Sequence, residues 1–365
     1  MIRVVFFITV VETAALGGGF PEFRVTLAEG SQRHPAVAGN LVVWQKYPDA
    51  SGETDIYGRH VPSGEVFPIA VLDGIQNTPA VDGQWVVWSD KRTGGFDIYG
   101  YDLMAGGEFP VCTHEAKQFY PAVSGNTVVW EDDRDSPPDV PPDYTNLDIY
   151  AMDLRTREEF AVCTAKWDQA HPAISGNIIV WEDRRRQFPG WDPTRAEIYG
   201  YDLATGREFL IATSEDGIDQ VSPAISGDIV VWADMHNWGD IWGYDLATET
   251  RFPVCTDAAY QGQPAVDGNL VVWTDLRNGN EDIYGYDLAT GEEFPICTDP
   301  ARQSFPRISG NLVVWQDSRN GDSDIYGAYI PEPVSLALFA LACPSVLLRP
   351  RGRRRGQAGP SPTPT

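Results

Sequence analysis

Carboxylate and guanidinium groups recur at fixed distances from a tryptophan that appears seven times along the chain. An aspartate lies two residues after most of these tryptophans, an arginine follows two residues later, and another aspartate opens the next apolar segment. Two acids around one base predict a hydrogen-bonded ion network that holds a loop in place. The alternative is a calcium site, because hard cations prefer several carboxylate and carbonyl oxygens. The metal candidates of this kind are Asp275, Asp282, Asp317 and Asp324.

Histidine is the other side chain here that could carry metal or acid–base chemistry. His34 and His171 immediately precede the proline that opens the first and the fourth repeat, whereas His114 and His236 lie in connecting segments. The ligands of one metal ion must all lie about 2.1 Å from it, and histidines from distant repeats do not meet that condition. We retain His34 and His171 as metal candidates and expect no cofactor. The sequence also contains no nucleophile elbow and no glycine-rich phosphate loop.

The elements that position these groups follow from the repeat itself. Each copy runs from a proline-led segment through a tight turn to an apolar run ending in Val-Trp, then through a polar loop to an Ile-Tyr or Ile-Trp segment and a second turn. The tryptophans are Trp44, Trp88, Trp130, Trp181, Trp232, Trp273 and Trp315. A spacing of 41 to 51 residues is typical of propeller blades with four short strands. The sequence therefore predicts an all-β, seven-bladed β-propeller of four-stranded blades over residues 22–330.

The two ends of the repeat array complement each other. The seventh repeat stops after its third strand, near Tyr329, whereas Glu22–Thr26 resembles the last strand of the sixth repeat, Glu293–Cys297. We predict that this N-terminal strand pairs into the last blade and closes the ring, which removes open sheet edges.

Glutamine and cysteine also recur in fixed places. A glutamine stands three residues before the opening proline of every repeat, at Gln32, Gln76, Gln118, Gln169, Gln220, Gln261 and Gln303. Seven copies of one residue do not make one active site, so we expect them to satisfy buried backbone groups. Cys112, Cys163, Cys255 and Cys297 share one position in four outer strands. Equivalent positions in different blades are too far apart for disulfides, so we expect small, half-buried residues.

The charge of the chain restricts its partners. The formal net charge is −25, and five arginines between Arg349 and Arg355 make the propeller more acidic still. Nucleic-acid binding depends on cationic contacts to phosphate, so we exclude it. An acidic surface suits solubility outside the cell, cation binding or a basic partner. We expect a monomer.

The chain ends carry short signals outside the repeats. Pro331, Glu332 and Pro333 precede an apolar run, 334–348, and then the arginine cluster. This order resembles the PEP-CTERM sorting signal of exported bacterial surface proteins, which an exosortase-type membrane protease processes after transient anchoring in the inner membrane. Residues 331–355 are thus the predicted sorting segment, and 356–365 a disordered tail. Residues 1–20 are the matching candidate signal peptide, so we expect an exported protein at the cell surface or outside the cell.

The repeats themselves resemble a known class. The pattern Trp-x-Asp-x-Arg-Asn-Gly-x-x-Asp-Ile-Tyr, at 273–284 and 315–326, is similar to the WD40-like repeat of TolB-type propellers and to surface-layer propeller repeats. Lys46, Glu197 and His236 depart from the pattern in the first, fourth and fifth repeats. TolB also has a separate N-terminal α/β domain, for which this chain has no room. The resemblance therefore implies the fold and not the TolB role.

The variable connections predict where a ligand binds. The two tight turns of each blade share one face, here called the turn face, and the two variable connections share the opposite loop face. The long insertions, 133–147 and 184–196, lie on the loop face. The same face gathers the candidate ligand-binding residues Tyr144, Trp167, Phe188, Trp191 and Trp238, since aromatic side chains are common anchors of interfaces. The alternative is that these aromatics pack against their own blades.

Two functional hypotheses remain from the sequence. The first is an exported, surface-anchored, non-catalytic binding module for a protein or polysaccharide of the cell envelope or matrix. The second is a metal-dependent polysaccharide lyase or hydrolase that uses the same loop face. Catalytic side chains are not assigned.

Overall fold

A computed structural model describes residues 20–47, 52–61, 63–136, 146–185, 195–214 and 217–331. Within these ranges, 28 strands form seven four-stranded antiparallel sheets, which are the blades of a β-propeller. The predicted fold is confirmed. A short 3-10 helix, His236–Trp238, lies in a loop of blade 5. No helix in the described ranges is long and apolar enough to cross a membrane.

The inner two strands of each blade contain the recurring proline and tryptophan. The inner strands of blades 1 to 7 are Gln32–Ala38, Gln76–Asp82, Gln118–Ser124, Gln169–Ser175, Gln220–Ser226, Gln261–Asp267 and Gln303–Ser309. The second strands are Leu41–Lys46, Trp85–Asp90, Thr127–Asp132, Ile178–Asp183, Ile229–Asp234, Leu270–Asp275 and Leu312–Asn320. Inner strands of adjacent blades contact each other around the whole ring, so they surround the central axis.

The outer two strands complete each sheet. The third strands are Asp55–His60, Asp97–Asp102, Asp148–Asp153, Glu197–Asp202, Asp240–Asp245, Asp282–Asp287 and Asp322–Tyr329. The outer strands of blades 1 to 6 are Glu65–Ala70, Gly107–Cys112, Glu158–Cys163, Arg207–Ala212, Thr250–Cys255 and Glu292–Cys297. The outer strand of blade 7 is Glu22–Arg24, from the other end of the chain.

The second strands form the core because neighbouring blades cover both of their faces. In blade 6 all six residues from Leu270 to Asp275 are buried. One apolar cluster joins Val129 of blade 3 to Trp181 of blade 4. Each Val-Val-Trp run therefore packs two blades together, which explains why the run is apolar at consecutive positions.

Closure of the ring follows the predicted pairing. Glu22, Phe23 and Arg24 lie opposite Ala328, Gly327 and Tyr326 in antiparallel register. The pairing continues beyond the strand, since the Val25 amide donates to the Ile325 carbonyl over 2.8 Å and the Ile325 amide donates to Thr26 Oγ1 over 2.9 Å. The first and last parts of the propeller thus form one sheet.

A bulge recurs in the inner strands. In each described blade the residue before the inner-strand proline is left-handed, with φ between 47° and 56°. These residues are His34, Thr78, Tyr120, His171, Ser222, Gln263 and Phe305. The strand register shifts at the same place, as between Ala170 and Ala173 in blade 4, and such a shift redirects a side chain.

Candidate functional site

The predicted ion network exists near the loop face, although its second acid is a different residue. In blade 3, Trp130 Nε1 donates to Asp132 Oδ2 over 2.9 Å, and Arg134 Nε donates to Asp132 Oδ1 over 2.8 Å. Arg134 Nη1 then donates to Glu159 of the outer strand over 2.5 Å. The guanidinium also lies 4.0 Å above the ring of Tyr150. Corresponding contacts occur in blades 2, 4, 6 and 7.

The aspartate that opens the third strand was wrongly expected to be the second acid of this network. In blade 6, Asp282 instead accepts hydrogen bonds from Asn278 over 2.7 Å and from Asn280 over 2.8 Å. In blade 7, Asp324 accepts from Asn320 over 2.9 Å and from Arg24 over 2.7 Å. The outer-strand glutamate reaches the arginine because the two side chains project from neighbouring strand ends, a proximity that sequence spacing does not show.

The metal candidates do not come together. Asp275 and Asp317 are each bound by a tryptophan and an arginine of their own blade. His34 packs against Phe305, with ring centroids 5.5 Å apart. Burial, helped by the positive charges of Arg307 and Arg33, lowers the pKa of His34 to about 4. Across the described ranges, no group of three or more His, Cys, Asp and Glu side chains is arranged to hold a metal ion.

Six of the seven recurring glutamines donate to backbone carbonyls, as predicted, and Gln76 is the exception. Gln118 Nε2 donates to the carbonyl of Ala116 over 2.8 Å, and Gln169 Nε2 donates to that of Trp167 over 2.7 Å. Each amide therefore braces the chain where it enters the inner strand.

Blade 5 builds the network differently. His236 replaces the loop arginine, and Arg251 stands at the outer-strand position where blades 2, 3, 4, 6 and 7 have glutamate. Arg251 Nη2 donates to Asp234 Oδ2 over 2.8 Å, and its guanidinium lies 4.0 Å above Trp242. Because the cation now comes from the outer strand, the loop is not held by its own arginine. It forms the 3-10 turn that ends in Trp238.

Two of the five predicted loop-face aromatics lie in the described ranges. Trp238 is 77% exposed and has a φ of 83°. Trp167 is half-buried, with a φ of 76°, and its amide donates to Asn146 Oδ1 over 2.8 Å. The Lys166 ammonium lies 4.7 Å from the centre of the Trp167 ring. Tyr144, Phe188 and Trp191 lie outside the described residues.

An open pocket of about 400 Å³ surrounds Trp238. Its lining is Trp238, Asp240, Thr256, Asp257 and Ala258. Gly239 fixes this turn, with a φ of 112° that favours glycine. A Cβ there would clash with the carbonyl oxygen of Gln261. The turn is also tied to blade 6, since the Gln261 amide donates to the Gly239 carbonyl over 3.0 Å.

A charged cluster near the central axis was missed by sequence reasoning. His171 Nδ1 lies 2.9 Å from Glu182 Oε1. The His171 amide donates to Glu131 Oε1 over 2.6 Å, and the Ser222 amide donates to Glu182 Oε1 over 2.7 Å. Both glutamates are buried and directly follow their tryptophans. Acidic residues inside an otherwise apolar strand were the signal that could have revealed them.

The contacts within this cluster shift the pKa values of Glu131 and His171. Burial raises the pKa of Glu131 to about 7, although His171 opposes this shift. Burial alone would lower the pKa of His171, but the hydrogen bond to Glu182 and the charges of Glu182 and Glu131 raise it to about 9. At neutral pH His171 is therefore a cation between two acidic side chains, and Glu131 is poised to exchange a proton.

Comparison with solved structures shows the propeller fold. The chain is similar to an oligogalacturonate lyase in complex with manganese, at 13% identity and a TM-score of 0.63, over 86% of this chain and 94% of that chain. It is similar to the β-propeller domain of the Trilobed protease from Pyrococcus furiosus, which has an open velcro topology, at 15% identity and a TM-score of 0.63, over 83% and 94%. It is also similar to the acylaminoacyl peptidase of Pyrococcus horikoshii, at 14% identity and a TM-score of 0.64, over 81% and 50%.

At 13% to 15% identity, these similarities support the propeller fold and no particular function. The chain spans about half the length of the acylaminoacyl peptidase. No protein-family model matches the sequence, and no curated protein does. The TolB-type and surface-layer likeness therefore stays a resemblance of repeats.

Proposed function

We propose that this chain is an exported, surface-anchored β-propeller whose loop face binds a protein or polysaccharide of the cell envelope or matrix. The observation that carries the proposal is Trp238, a large apolar side chain held 77% exposed on that face. Its positive φ costs free energy in a residue other than glycine, and such strain is frequent at ligand sites. Exposure and strain together favour a binding role for the turn.

The remaining polar groups support the same assignment. The recurring aspartates and arginines are engaged with one another and with tryptophans inside the blades. Burial raises the pKa of the Cys112, Cys163 and Cys255 thiols to about 12, so these cysteines are poor nucleophiles. These groups are therefore engaged inside the blades, whereas Trp238 on the loop face is exposed.

Export and anchoring are proposed from the chain ends. The Pro331-Glu332-Pro333 motif, the apolar run and the arginines resemble a sorting signal, and an exosortase-type protease would be the processing partner. Of that segment only Pro331 lies in the described ranges.

A polysaccharide lyase or hydrolase is the second candidate. The observation in its favour is the Glu131–His171–Glu182 cluster, because an acid with a pKa of about 7 suits general acid–base chemistry. A solved structure of the same fold is an oligogalacturonate lyase with manganese. Incubating the purified propeller with acidic polysaccharides, with and without a chelator, separates the candidates, because product release that depends on Glu131 would favour the enzyme.

The binding proposal is tested by capture of matrix material on immobilised propeller. We expect Trp238→Ala to weaken capture more than tenfold, as an aromatic anchor should, and Trp167→Ala to weaken it if both aromatics contact the same ligand. Met104→Ala is the matched control, since Met104 is 81% exposed but lies in a turn of the opposite face. Equal capture by the wild-type protein and the Trp238→Ala variant would contradict the proposal.

A further inference from the structure

The pocket beside Trp238 combines an open aromatic face with carboxylates. The indole forms one wall, and the buried carboxylate Asp240 lies in the same lining as the exposed Thr256 and Asp257. A pocket of about 400 Å³ falls in the size range of small-molecule sites. The lining thus offers a flat apolar surface and acceptors for hydrogen bonds.

Asp240 differs from the aspartates that occupy the same position in neighbouring blades. It opens the third strand of blade 5 and corresponds in strand register to Asp282 in blade 6 and Asp324 in blade 7. Those two carboxylates accept hydrogen bonds from asparagine side chains. Asp240 is only 9% exposed, and no side chain in the described part of the protein donates a hydrogen bond to it. Asp240 lines the pocket, and a cation bound there would supply the hydrogen-bond partner that the described side chains do not.

The charges around Asp240 make the pocket acidic. Burial, and then the charge of Asp234, raise the pKa of Asp240, and His236 opposes this shift. The guanidinium of Arg251 is engaged with Asp234 and with Trp242. Asp257 adds a second acceptor, although one of its oxygens already receives the Ala259 amide over 3.0 Å. A cationic group is therefore the favoured occupant.

The shape of the pocket selects among cations. A bare metal ion would not use the exposed indole, whereas an ammonium on a carbon ring would use both the indole and the carboxylates. A lysine side chain offers a single donor group and a thin stem. A sugar ring offers a flat face for Trp238 and several hydroxyl donors for Asp257 and Thr256.

We propose that the Trp238 pocket binds a protonated amino sugar of a polysaccharide, with its ring on the Trp238 indole and its ammonium on Asp240. This inference rests on the proposed binding function and names its ligand class. The 3-10 turn and Gly239 hold the indole in place, and the replacement of the loop arginine by His236 keeps a competing guanidinium away from the loop.

The test measures affinity for two tetrasaccharides that differ only in charge. We expect glucosamine tetramer to bind at least tenfold more tightly than N-acetylglucosamine tetramer, because acetylation removes the ammonium. Asp240→Asn and Trp238→Ala should each reduce glucosamine-tetramer affinity at least tenfold. Asp282→Asn is the matched control, since it changes the equivalent aspartate of blade 6, and it should leave the affinity unchanged.

A second measurement does not depend on binding. If Asp240 is an unpartnered buried acid, Asp240→Asn should raise the melting temperature at pH 7, whereas Asp282→Asn should lower it because Asp282 is hydrogen-bonded. Equal affinity for both tetramers, or tighter binding of a lysine-rich peptide, would overturn the amino-sugar assignment. Trp238-dependent capture of matrix material with equal tetramer affinities leaves the proposed function in place and refutes only this inference, whereas loss of all capture refutes both.

Discussion

Arg185 Nη2 donates a hydrogen bond to Cys163 Sγ over 3.0 Å, across the boundary between blades 3 and 4. The same bond joins Arg134 to Cys112, Arg277 to Cys255 and Arg319 to Cys297, over 3.1 to 3.3 Å. Each arginine also belongs to the ion network of its own blade, so the network extends into the preceding blade. Where blade 5 has His236 in place of arginine, blade 4 has Ala212 in place of cysteine, and donor and acceptor are lost together.

The arginine–cysteine bond between blades should contribute little to stability, and the ion network within each blade should contribute much more. We expect Cys163→Ala to lower the free energy of unfolding by about 1 kcal/mol or less. Arg185→Ala should lower it by about 3–5 kcal/mol, because Asp183 would remain buried without its cation. Urea denaturation measures both.

The control for this prediction is Arg155→Ala. Arg155 pairs with Asp153 at the surface and is 69% exposed in its side chain, so its loss should leave the free energy of unfolding nearly unchanged. Equal effects of Arg185→Ala and Arg155→Ala would show that the network does not stabilise the blade.

Ring closure should depend on the N-terminal strand. Deleting residues 22–28 removes the pairing with blade 7 and two ion pairs, Arg24–Asp324 and Glu22–Arg319. We expect a loss of several kcal/mol out of a total of typically ~5–15, measured as a lower melting temperature. Leu27→Ala is the control, because Leu27 is exposed. An unchanged melting temperature in the deletion variant would mean that the ring closes in another way.

The Glu131–His171–Glu182 cluster should make stability fall as pH rises. The folded pKa of Glu131 is about 7, above its ordinary 4.5, so ionising it weakens the fold as pH rises between those values. The folded pKa of His171 is about 9, above its ordinary 6.5, so its stabilising charge is complete below 6.5 and is lost as pH rises through 9.

Melting curves between pH 4 and pH 10 test this prediction. Glu131→Gln should flatten the decline between pH 4.5 and 7, and His171→Gln should flatten it between pH 6.5 and 9. His34→Gln should instead steepen the decline between about pH 4 and 6.5, because the pKa of His34 is lowered from 6.5 to about 4 and the wild-type residue therefore adds stability as pH rises through that range. Parallel curves for all four proteins would contradict the assignment.

The sorting segment should act on delivery and not on folding. Replacing Glu332 and the arginines from Arg349 to Arg355 should leave the melting temperature of the propeller unchanged, because neither group belongs to the described blades. Cell fractionation should show less protein at the surface. Normal surface amount and processed size would contradict the sorting proposal.

The repeat pattern was enough for the fold, because its signals are local. Strand, turn and apolar run are written within each copy, and the match between Glu22–Thr26 and Glu293–Cys297 predicted closure. Contacts between repeats depend on how neighbouring blades are arranged around the axis, and the spacing of residues in the sequence does not show that arrangement. The bond from Arg185 to Cys163 and the pairing of Glu131 with the His171 amide are of this kind.

The candidate site was predictable only in part for the same reason. Trp238 stood out as an aromatic residue in a loop, and the structure places it 77% exposed, whereas its role as a ligand-binding residue stays a prediction. Asp240 looked like any third-strand aspartate, because only the changed loop of blade 5 leaves it without a hydrogen-bond donor among the described side chains. The repeat pattern identifies the position of Asp240, whereas the hydrogen-bond partners of that position can be seen only in the structure.

The left-handed residues before the inner-strand prolines have the same backbone conformation but different side chains. They share one backbone geometry and yet include six different residue types, from Ser222 to Phe305. The bulge and the following proline are common to all of them, so one backbone geometry accepts several side-chain types. A combinatorial library at the positions whose side chains make no contact between blades would place new charges and hydroxyls around the axis. The propeller thus offers a ready framework for engineered receptors whose selectivity is set one blade at a time.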